Sequence, residues 1–458
     1  MTQPTGFNLI VYYGYMGNAA SYLISKGAEP GDRVILKLRD GTILQGLLMP
    51  RPQLYSSSSV IIVKLDNGYN VGIRLDNIES LEVLKQLKAP RETPSRQVQA
   101  RARLPRVTMI STGGTIASKV DYETGAVTPA LKPSEIVEWI PELENVSLIS
   151  AREVMSIFSE DMTPEHWKVI AMEVYKEMKN GVHGVVVAHG TDTMAYTASA
   201  IAFAVQNKPV PVVFVGAQRS SDRPSTDAAL NLIAAFMVAA RAPFSESVIS
   251  MHGSVSDRLN LVHRGVKCRK MHTSRRDAFQ SINDTPLAVV DVSKGEIRVI
   301  GKIYEHRGEK DPVLRAEFDG KVALIKAYPG IQQEVIDFVV DRGFHGIVIE
   351  GTGLGHAPNR LMDSIRRAVE SGIPVVMTSQ CLFGRVNMNV YSTGRRLLEI
   401  GVIPGHDMLP ETAYVKLSWI LGSISREVED VRKWFTANLV GEVNERHTLS
   451  LYPRWTYE

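Results

Sequence analysis

Two short polar stretches hold the residues of this chain that are best suited to chemistry. "STGGTIAS" (Ser111 to Ser118) follows the apolar run "RVTMI", and "HGTDT" (His189 to Thr193) follows "GVVVA". A threonine hydroxyl is a poor nucleophile at neutral pH, so catalysis requires a nearby base and a stabiliser for the oxyanion. Asp192 supplies an acidic group, and the glycine pair Gly113–Gly114 allows backbone N–H groups to approach a ligand. Hydroxyl-based catalysis is therefore one interpretation, and helix N-capping by threonines such as Thr112 is the other.

The sequence lacks the motifs of several other kinds of functional site. The chain contains no GxxxxGK[ST] or GxGxxG phosphate loop, no HExxH or Cys-x-x-Cys metal motif, and no Gly-x-Ser-x-Gly elbow. His189, His252 and His272 are scattered, which favours hydrogen-bonded scaffolding over metal ligation. We therefore predict no metal and no cofactor in this chain, and a site made of hydroxyl, acidic and lysine groups.

The elements that must position these groups begin at Val107. Strands "RVTMI", "GVVVAHG", "VPVVFVGA" and "SVISMHG" alternate with helical stretches such as "PEHWKVIAMEVYKEMKN". This alternation predicts a parallel sheet with helices on both faces. Ligands of such sheets bind beyond the carboxyl ends of the strands, so both polar stretches should face one edge. A second α/β series follows, with predicted helices near Leu409 to Leu421 and Val428 to Asn438.

The first part of the chain has a different residue pattern. Short runs such as "DRVILKL" and "SVIIVKL", separated by turn signals, predict a small β-barrel, either a structural appendage or a partner- or RNA-binding module. An arginine-rich linker follows, which is either simply solvated or in contact with a phosphate backbone. The predicted organisation is a small β-barrel domain with an N-terminal extension at 1–87, a basic linker at 88–105, an α/β domain with the catalytic motifs at 106–310, a smaller C-terminal α/β domain at 320–440 and a tail at 441–458.

Bulk composition excludes several classes of protein. The 458 residues carry 52 basic and 49 acidic side chains, a net charge of +3, so no strong overall field attracts nucleic acid. Two cysteines exclude a disulfide framework and fit a reducing compartment. No signal peptide or membrane-spanning stretch is recognisable. We therefore expect a cytoplasmic protein without membrane attachment.

The two polar stretches together resemble a known family. "TGGTIAS", followed about 75 residues later by "HGTDTMAYTA", resembles the paired signatures of the type I/II L-asparaginases and related amidohydrolases. "FSEDMTPEHW", "VGAQRSSDRPSTDAALNL" and "GHDMLPETAYVKL" are also similar to segments of that family. The resemblance covers Arg106 to Asn438. It implies an α/β fold with an asparaginase-like two-domain parallel-sheet architecture, here preceded by the small β-barrel.

The resemblance also implies roles for individual residues. Thr115 matches the nucleophile that forms an acyl-enzyme with the side chain of glutamine or asparagine, with Thr191 as the second candidate. A lysine completes the proton-handling unit; Lys270 is the residue selected by alignment, and Lys267 is the alternative. Whether Asn359 replaces a substrate-binding asparagine of the family stays open. The implied set is Thr115, Thr191, Asp192, Lys270 and the lid residue Tyr122 for catalysis, with Gly114, Ser159 and Glu160 for substrate binding.

The extra N-terminal domain narrows the resemblance to the D subunits of archaeal glutamyl-tRNA(Gln) amidotransferases, which are asparaginase-like glutaminases. This implies that the chain supplies ammonia to a partner, the E subunit, which uses ATP and Mg²⁺ to convert Glu-tRNA(Gln) to Gln-tRNA(Gln). Contacts with the tRNA are expected mainly through the partner, and a homodimer within a heterotetramer is expected. The alternatives are a stand-alone asparaginase or glutaminase and a non-catalytic RNA-binding protein.

Overall fold

The computed structural model describes residues 11–12, 15–49, 58–65, 70–84, 104–113, 118–120, 127–129, 140–219, 226–448 and 451–452. Except for Leu104 and Pro105, the predicted basic linker lies outside these residues. No helix within the described ranges is long and apolar enough to cross a membrane. The chain divides into two compact units. The first comprises Met1–Arg103, Thr115–Leu131 and Gln218–Ala228, and the second comprises Leu104–Gly114, Lys132–Ala217 and Ala229–Glu458.

The first unit contains a five-stranded antiparallel sheet, which corresponds to the predicted small barrel. Val34 and Leu36 are fully buried and alternate with more exposed neighbours, the pattern of a sheet with one covered face. A ten-residue helix that was not predicted from the sequence ends at Gly27, in the left-handed region at φ +60°. The elements are β1 Val11–Tyr12, β2 Tyr15–Met16, α1 Gly17–Lys26, β3 Arg33–Leu38, β4 Ile43–Leu48, β5 Val60–Leu65, β6 Asn70–Arg74, β7 Ile78–Leu84, β9 Ser118–Val120 and β10 Val127–Pro129.

Strand order in this sheet is β6-β5-β4-β3-β7, and β9 pairs with β10 as a separate antiparallel ribbon. The buried Tyr15 hydroxyl connects two parts of the sheet. It donates to the Met49 carbonyl at 2.5 Å and accepts from the Ile62 N–H at 3.0 Å. A buried hydroxyl with both a donor and an acceptor partner is satisfied, so it adds specificity without an unpaired polar group.

The second unit contains an eight-stranded sheet. Its strands are β8 Arg106–Ser111, β11 Leu148–Glu153, β12 Gly184–Ala188, β14 Val212–Val215, β15 Ser247–His252, β16 Asn260–Arg264, β19 Ala288–Asp291 and β20 Glu296–Val299. They lie in the order β11-β8-β12-β14-β15-β16-β19-β20. The first five strands of that order are parallel, as predicted, and the last three are antiparallel, which the sequence pattern did not indicate. Every residue of β12 is buried, as expected for a central strand covered on both faces.

Within the described residues, three helices pack on this sheet: α2 Pro164–Lys179, α3 Met194–Ala204 and α4 Ala228–Arg241. Helix α3 is apolar on nearly all sides and most of its residues are buried, as expected for a helix enclosed by other elements. Phe203 near its end stacks on Trp419 at a centroid distance of 5.7 Å. Because α3 is held on several sides, the "HGTDT" loop that precedes it has a rigid support.

A second, four-stranded parallel sheet confirms the predicted second α/β series. The helices predicted near residues 409–421 and 428–438 are observed at Pro410–Ser423 and Val428–Thr436. The elements are β22 Val322–Lys326, α5 Glu334–Asp341, β23 Gly346–Gly351, α6 Met362–Glu370, β24 Val375–Ser379, α7 Ser392–Ile400, β25 Ile403–Pro404, α8 Pro410–Ser423 and α9 Val428–Thr436.

Two short antiparallel pairs complete the second unit. Strand β13 (Val205–Gln206) pairs with β21 (Val313–Leu314), and β17 (Cys268–Lys270) pairs with β18 (Phe279–Ser281). The second pair is a hairpin whose buried residues Cys268 and Phe279 anchor it in the core. Lys270 is the last residue of β17, so this hairpin determines where its ammonium group lies.

Candidate active site

The two polar stretches lie at the same edge of the large sheet. Ser111 of β8 is in register with Ala188 of β12, so the residues that follow both strands emerge side by side. The Thr112 N–H and hydroxyl both donate to the Ala188 carbonyl, at 3.0 and 3.1 Å. The hydroxyl of Thr112 therefore makes a cross-strand bond and is not a helix cap. The predicted common edge is confirmed by this register.

Gly113 is required by the backbone geometry of the first stretch. Its φ is +100°, and a Cβ at this position would lie 2.6 Å from the carbonyl oxygen of Ile157. A side chain would therefore be both strained and in collision with backbone. Of the predicted residues in and after this stretch, Gly114, Thr115 and Tyr122 lie outside the described residues.

Lys270 joins the two functional groups of "HGTDT". Its Nζ donates to the Thr191 hydroxyl oxygen at 2.9 Å and to the Asp192 carboxylate at 2.7 Å. The Thr191 residue is 6% exposed, whereas the Asp192 side chain is 66% exposed. The three groups thus form a connected unit with one buried end and one end open to solvent.

Thr191 is held by close packing with the neighbouring strand. A Cβ at Gly216, directly after β14, would lie 2.8 Å from the Cγ2 of Thr191 and 2.8 Å from the carbonyl of His189. Only glycine leaves room there for the threonine in its observed position. Sequence reasoning missed this requirement, although a glycine directly after a buried strand was a signal for it.

Lys267, the alternative lysine, lies elsewhere. Its side chain is fully buried and its Nζ is 2.7 Å from the Asp407 carboxylate, which is also fully buried. Asp407 in turn accepts hydrogen bonds from the backbone and side chain of Asn444. Lys267 is therefore part of an interior ion pair and does not reach Thr191.

The predicted substrate-binding residues lie in a turn against the same edge. Ser159 is 4% exposed, and its carbonyl accepts a 2.5 Å hydrogen bond from the Thr193 hydroxyl. A Cβ at Gly190 would lie 2.7 Å from the Cβ of Ser159, so the turn and the "HGTDT" loop are in direct contact. Glu160, the next residue, is exposed. Thr193 was not predicted, although it is the third hydroxyl-or-acid residue in the motif.

Asn359 lies in the domain of the second sheet, where its position is explained by a local contact. The residue is exposed and its Oδ1 accepts a 2.9 Å hydrogen bond from Arg396. Whether Asn359 replaces the family's substrate-binding asparagine therefore stays open.

The histidines near this edge act as hydrogen-bonded supports, as their scattered pattern indicates. The Nδ1 of His189 donates to the Gly190 carbonyl at 2.7 Å, and burial lowers its pKa to about 4, so it is neutral at pH 7. His252 contacts Asn231 at 2.6 Å and Asp257 at 3.2 Å. The described residues contain no group of three or more side chains with the geometry of a metal site.

The residue next to Lys270 on β17 pairs with an acid that was not predicted from the sequence. Arg269, the preceding residue on β17, directs its guanidinium to Glu411 at the start of α8, at 3.3 Å. Burial raises the pKa of Glu411, and the Arg269 charge opposes that shift. Successive residues of a strand point to opposite sides, so Lys270 and Arg269 have different surroundings.

Taken together, an asparaginase-type sheet and a threonine–aspartate–lysine unit at its carboxyl edge define the class. The family model "Asparaginase, N-terminal" matches residues 106–304, and "Glutaminase/Asparaginase C-terminal domain" matches residues 321–435. The L-asparaginase of Thermococcus kodakarensis is 34% identical, with a TM-score of 0.66 over 74% of this chain and 100% of that one. L-asparaginase I of Vibrio cholerae is 31% identical, with a TM-score of 0.66 over 74% of this chain and 99% of that one. The second unit is thus an asparaginase-family amidohydrolase fold.

The N-terminal part and the full-length relatives specify the branch of this class. The family model "GatD N-terminal domain" matches residues 28–84. The D subunit of the glutamyl-tRNA(Gln) amidotransferase of Thermofilum pendens is 54% identical over 452 residues, 96% of this chain and 99% of that one. The protein of the same name from Pyrococcus abyssi is 51% identical over 437 residues, 94% of this chain and 99% of that one. The chain belongs to the family of glutamyl-tRNA(Gln) amidotransferase D subunits.

Proposed function

We propose that this chain is the glutaminase component of a tRNA-dependent amidotransferase. It hydrolyses the side-chain amide of glutamine, or of asparagine, and supplies ammonia to a partner protein. The partner, the E subunit, would use ATP and Mg²⁺ to convert Glu-tRNA(Gln) to Gln-tRNA(Gln) and would make most of the tRNA contacts. The observation that carries the proposal is the 2.9 Å and 2.7 Å contacts of Lys270 with Thr191 and Asp192.

The proposed chemistry proceeds in two steps. The Thr115 hydroxyl attacks the amide carbon, an ester bond to the enzyme forms, and the C–N bond breaks as the nitrogen takes up a proton and leaves as ammonia. Water then attacks the ester, which releases glutamate or aspartate and restores the hydroxyl. Gly114 would contribute a backbone N–H to the oxyanion, Ser159 and Glu160 would bind the α-carboxylate and α-amino groups, and Tyr122 would close over the site.

The geometry at Lys270 supports a defined role for Thr191. An ammonium group has only donors, so the Thr191 oxygen accepts from Lys270 and its own proton is free for another partner. Asp192 at 2.7 Å gives the Lys270 ammonium group a carboxylate partner. Thr191 is therefore oriented to donate a proton to the departing nitrogen, and the proton that the Thr115 hydroxyl loses on attack replaces it by way of Asp192 and Lys270.

Trapping the intermediate tests the assignment of the nucleophile. The chain is mixed with glutamine and quenched with acid, and the peptides are mapped by mass spectrometry. A glutamyl adduct on Thr115 is the expected result. An adduct on Thr191 would reverse the two roles and overturn the assignment.

Reconstitution tests the assignment to an amidotransferase. We expect weak ammonia release from glutamine by the chain alone, a large increase when the E subunit and Glu-tRNA(Gln) are added, and formation of Gln-tRNA(Gln). Full activity of the isolated chain without any transamidation in the mixture would favour a stand-alone asparaginase or glutaminase. Absence of hydrolysis in both settings would favour a non-catalytic RNA-binding protein.

The assembly belongs to the same proposal. We expect a homodimer that joins two copies of the partner in a heterotetramer located in the cytoplasm. Light scattering of the purified complex measures its mass directly, and a complex with one copy of each protein would contradict the heterotetramer.

A further inference from the structure

Among the described residues of the second unit, three lysines are buried, and they differ in how their charge is balanced. Lys267 lies 2.7 Å from Asp407, and Lys416 lies 2.6 Å from Glu442; all four side chains are fully buried. A buried charge is costly unless a counter-charge and hydrogen bonds satisfy it. Both of these lysines therefore have the partner that their burial requires.

The third lysine, Lys208, has no such partner among the described residues. It is 8% exposed, and its Nζ donates to the carbonyls of Ala202 at 3.1 Å and Val205 at 2.5 Å. These carbonyls lie at the carboxyl end of α3, where the helix dipole favours a cation. They occupy two of the three N–H groups of the ammonium. Burial lowers the pKa of Lys208 to about 8, against the opposing influence of Glu246 and Glu305.

Lys208 lines a cavity of about 310 Å³, a size within the range of small-ligand sites. Arg264 also lines it, but its guanidinium is already paired with Glu246 at 2.7 Å and with Asp284 at 2.7 Å. Trp434, Leu439 and Val440 contribute apolar surface to the lining. One lining cation, Lys208, thus remains without a carboxylate partner in the described part of the chain.

The rim of the cavity contains a weak and adjustable ion pair. Lys310 lies 3.2 Å from the Glu305 carboxylate, and the two side chains are 27% and 73% exposed. Because the Glu305 side chain is largely exposed, the pair contributes little to stability and Glu305 can change partners at little cost. The cavity therefore presents a second ammonium group and one carboxylate next to Lys208.

This cavity is separate from the candidate active site. It is lined by Ser245, Glu246 and Ser247, at the start of β15, whereas Thr191 follows the carboxyl end of β12. Strands β12, β14 and β15 are parallel, so the two sites lie at opposite edges of the same sheet. A ligand in the cavity does not compete with substrate for the same groups.

We propose that the cavity is a second small-molecule site and that it binds a free α-amino acid. The carboxylate of the ligand pairs with Lys208 and Lys310, its ammonium group pairs with Glu305, and its side chain lies against Trp434. A zwitterion matches walls that carry both signs of charge. A small inorganic anion such as phosphate has no cationic group and would leave Glu305 without the partner that the ammonium group of an amino acid supplies.

The ionisation of Lys208 adds a dependence on pH. A bound carboxylate pairs with the charged form of the lysine, so binding requires a proton on a group whose pKa is about 8. Affinity for the amino acid should therefore be highest below about pH 8 and should fall as the pH rises above that value.

Calorimetric titration of the full-length chain with L-glutamate and with L-leucine tests the proposal. Neither probe contains a side-chain amide that can be hydrolysed. We expect Lys310→Met to weaken one binding event by at least about tenfold, the effect of losing one charge-assisted hydrogen bond. The matched control Lys294→Met, whose lysine is 66% exposed on the β19–β20 hairpin, should bind as the native chain does.

Lys208→Met should have the larger effect on binding, and its fold is checked by circular dichroism because Lys208 also bonds the end of α3. Lys310 does not bond the end of α3, so Lys310→Met tests binding without disturbing that helix. The proposal is overturned if Lys310→Met binds both amino acids as tightly as the native chain does. It is also overturned if inorganic phosphate binds the cavity as tightly as the amino acids do, since the site is then a general anion site.

Discussion

The carboxyl edge of the large sheet and the interior of the second unit both contain lysine–carboxylate pairs at nearly the same distance. Lys270 and Asp192 are 2.7 Å apart at the edge, and Lys267 and Asp407 are 2.7 Å apart in the interior. The two pairs differ in their exposure to solvent: the Asp192 side chain is 66% exposed, whereas that of Asp407 is fully buried. Distance alone therefore does not distinguish a pair that can exchange protons from one that supports the fold.

The partners of each pair show the same contrast. At the edge, Lys270 also contacts a hydroxyl, which can pass a proton on. In the interior, Asp407 is enclosed by Asn444, and Glu442 accepts from the N–H groups of Leu439 and Val440. The interior pairs thus attach the segment after α9 to the body of the unit. Their cost of desolvation makes them sensitive to the loss of one partner.

Replacing the lysine at the edge should give the largest effect. In Lys270→Met, we expect ammonia release from glutamine to fall by about 10²- to 10⁴-fold, the usual contribution of a positioned proton-transfer group. The free energy of unfolding should change by less than about 1 kcal/mol, because a pair with one exposed partner contributes little. Lys294→Met is the control. A nearly native rate in Lys270→Met would remove the lysine from the mechanism.

Replacing the lysine in the interior should reverse this pattern. In Lys267→Met, we expect the free energy of unfolding to fall by about 3 kcal/mol, because Asp407 is left as a buried charge without its cation. Chemical denaturation measures the change. The double variant Lys267→Met/Asp407→Leu should recover part of the loss. Equal stability of the single variant and the native chain would show that the pair does not stabilise the fold.

A small increase in volume at the edge tests how closely its loops are packed. In Gly190→Ala the new methyl group would lie 2.7 Å from the Cβ of Ser159, so the turn must shift. We expect a loss of about 1–3 kcal/mol in stability, typical of overpacking, together with a raised KM. Gly295→Ala adds a methyl group where no atom lies within 4 Å, but at φ +68°, so it reports backbone strain alone. An unchanged KM in Gly190→Ala would mean that the turn does not contact substrate.

The last prediction concerns acid stability. Burial lowers the pKa of His189 and of His263 from 6.5 to about 4. The unfolded chain therefore binds more protons below pH 6.5, and stability should fall as the pH is lowered from about 6.5 to about 4. His263→Gln should reduce this slope, measured by denaturation at several pH values. The exposed His272 is the control, and an identical slope in His263→Gln and the native chain would contradict the prediction.

Much of the architecture was predictable because its signals are local. Buried strands appear in the sequence as continuous apolar runs. The polar residues directly after them mark the edge at which ligands bind. The antiparallel strands β16, β19 and β20 were missed because an apolar run does not reveal the direction of its strand. Helix α1 was missed because its N-cap residue, Met16, makes no side-chain capping bond, although Gly27 marks the end of the helix.

The candidate site shows the same division. Thr191 and Asp192 are neighbours in the sequence, so their association was evident there. Lys270 is 79 residues from Thr191, and the residues around it offered two lysines within four positions. Family resemblance favoured Lys270, but only the β17–β18 hairpin places its ammonium group at Thr191. The roles of Thr115, Gly114 and Tyr122 stay predictions, because these residues lie outside the described part of the chain.

The sequence by itself determined the family, the order of the elements and the polar residues at the strand ends, because each depends on residues close together in the chain. The tertiary structure alone decided which lysine faces a hydroxyl, which is paired in the interior and which is left facing a cavity. Those outcomes depend on desolvation and on partners as much as 140 residues away, as for Lys267 and Asp407. The chemistry of a lysine depends on its burial and its partner, and the residues next to it in the sequence determine neither.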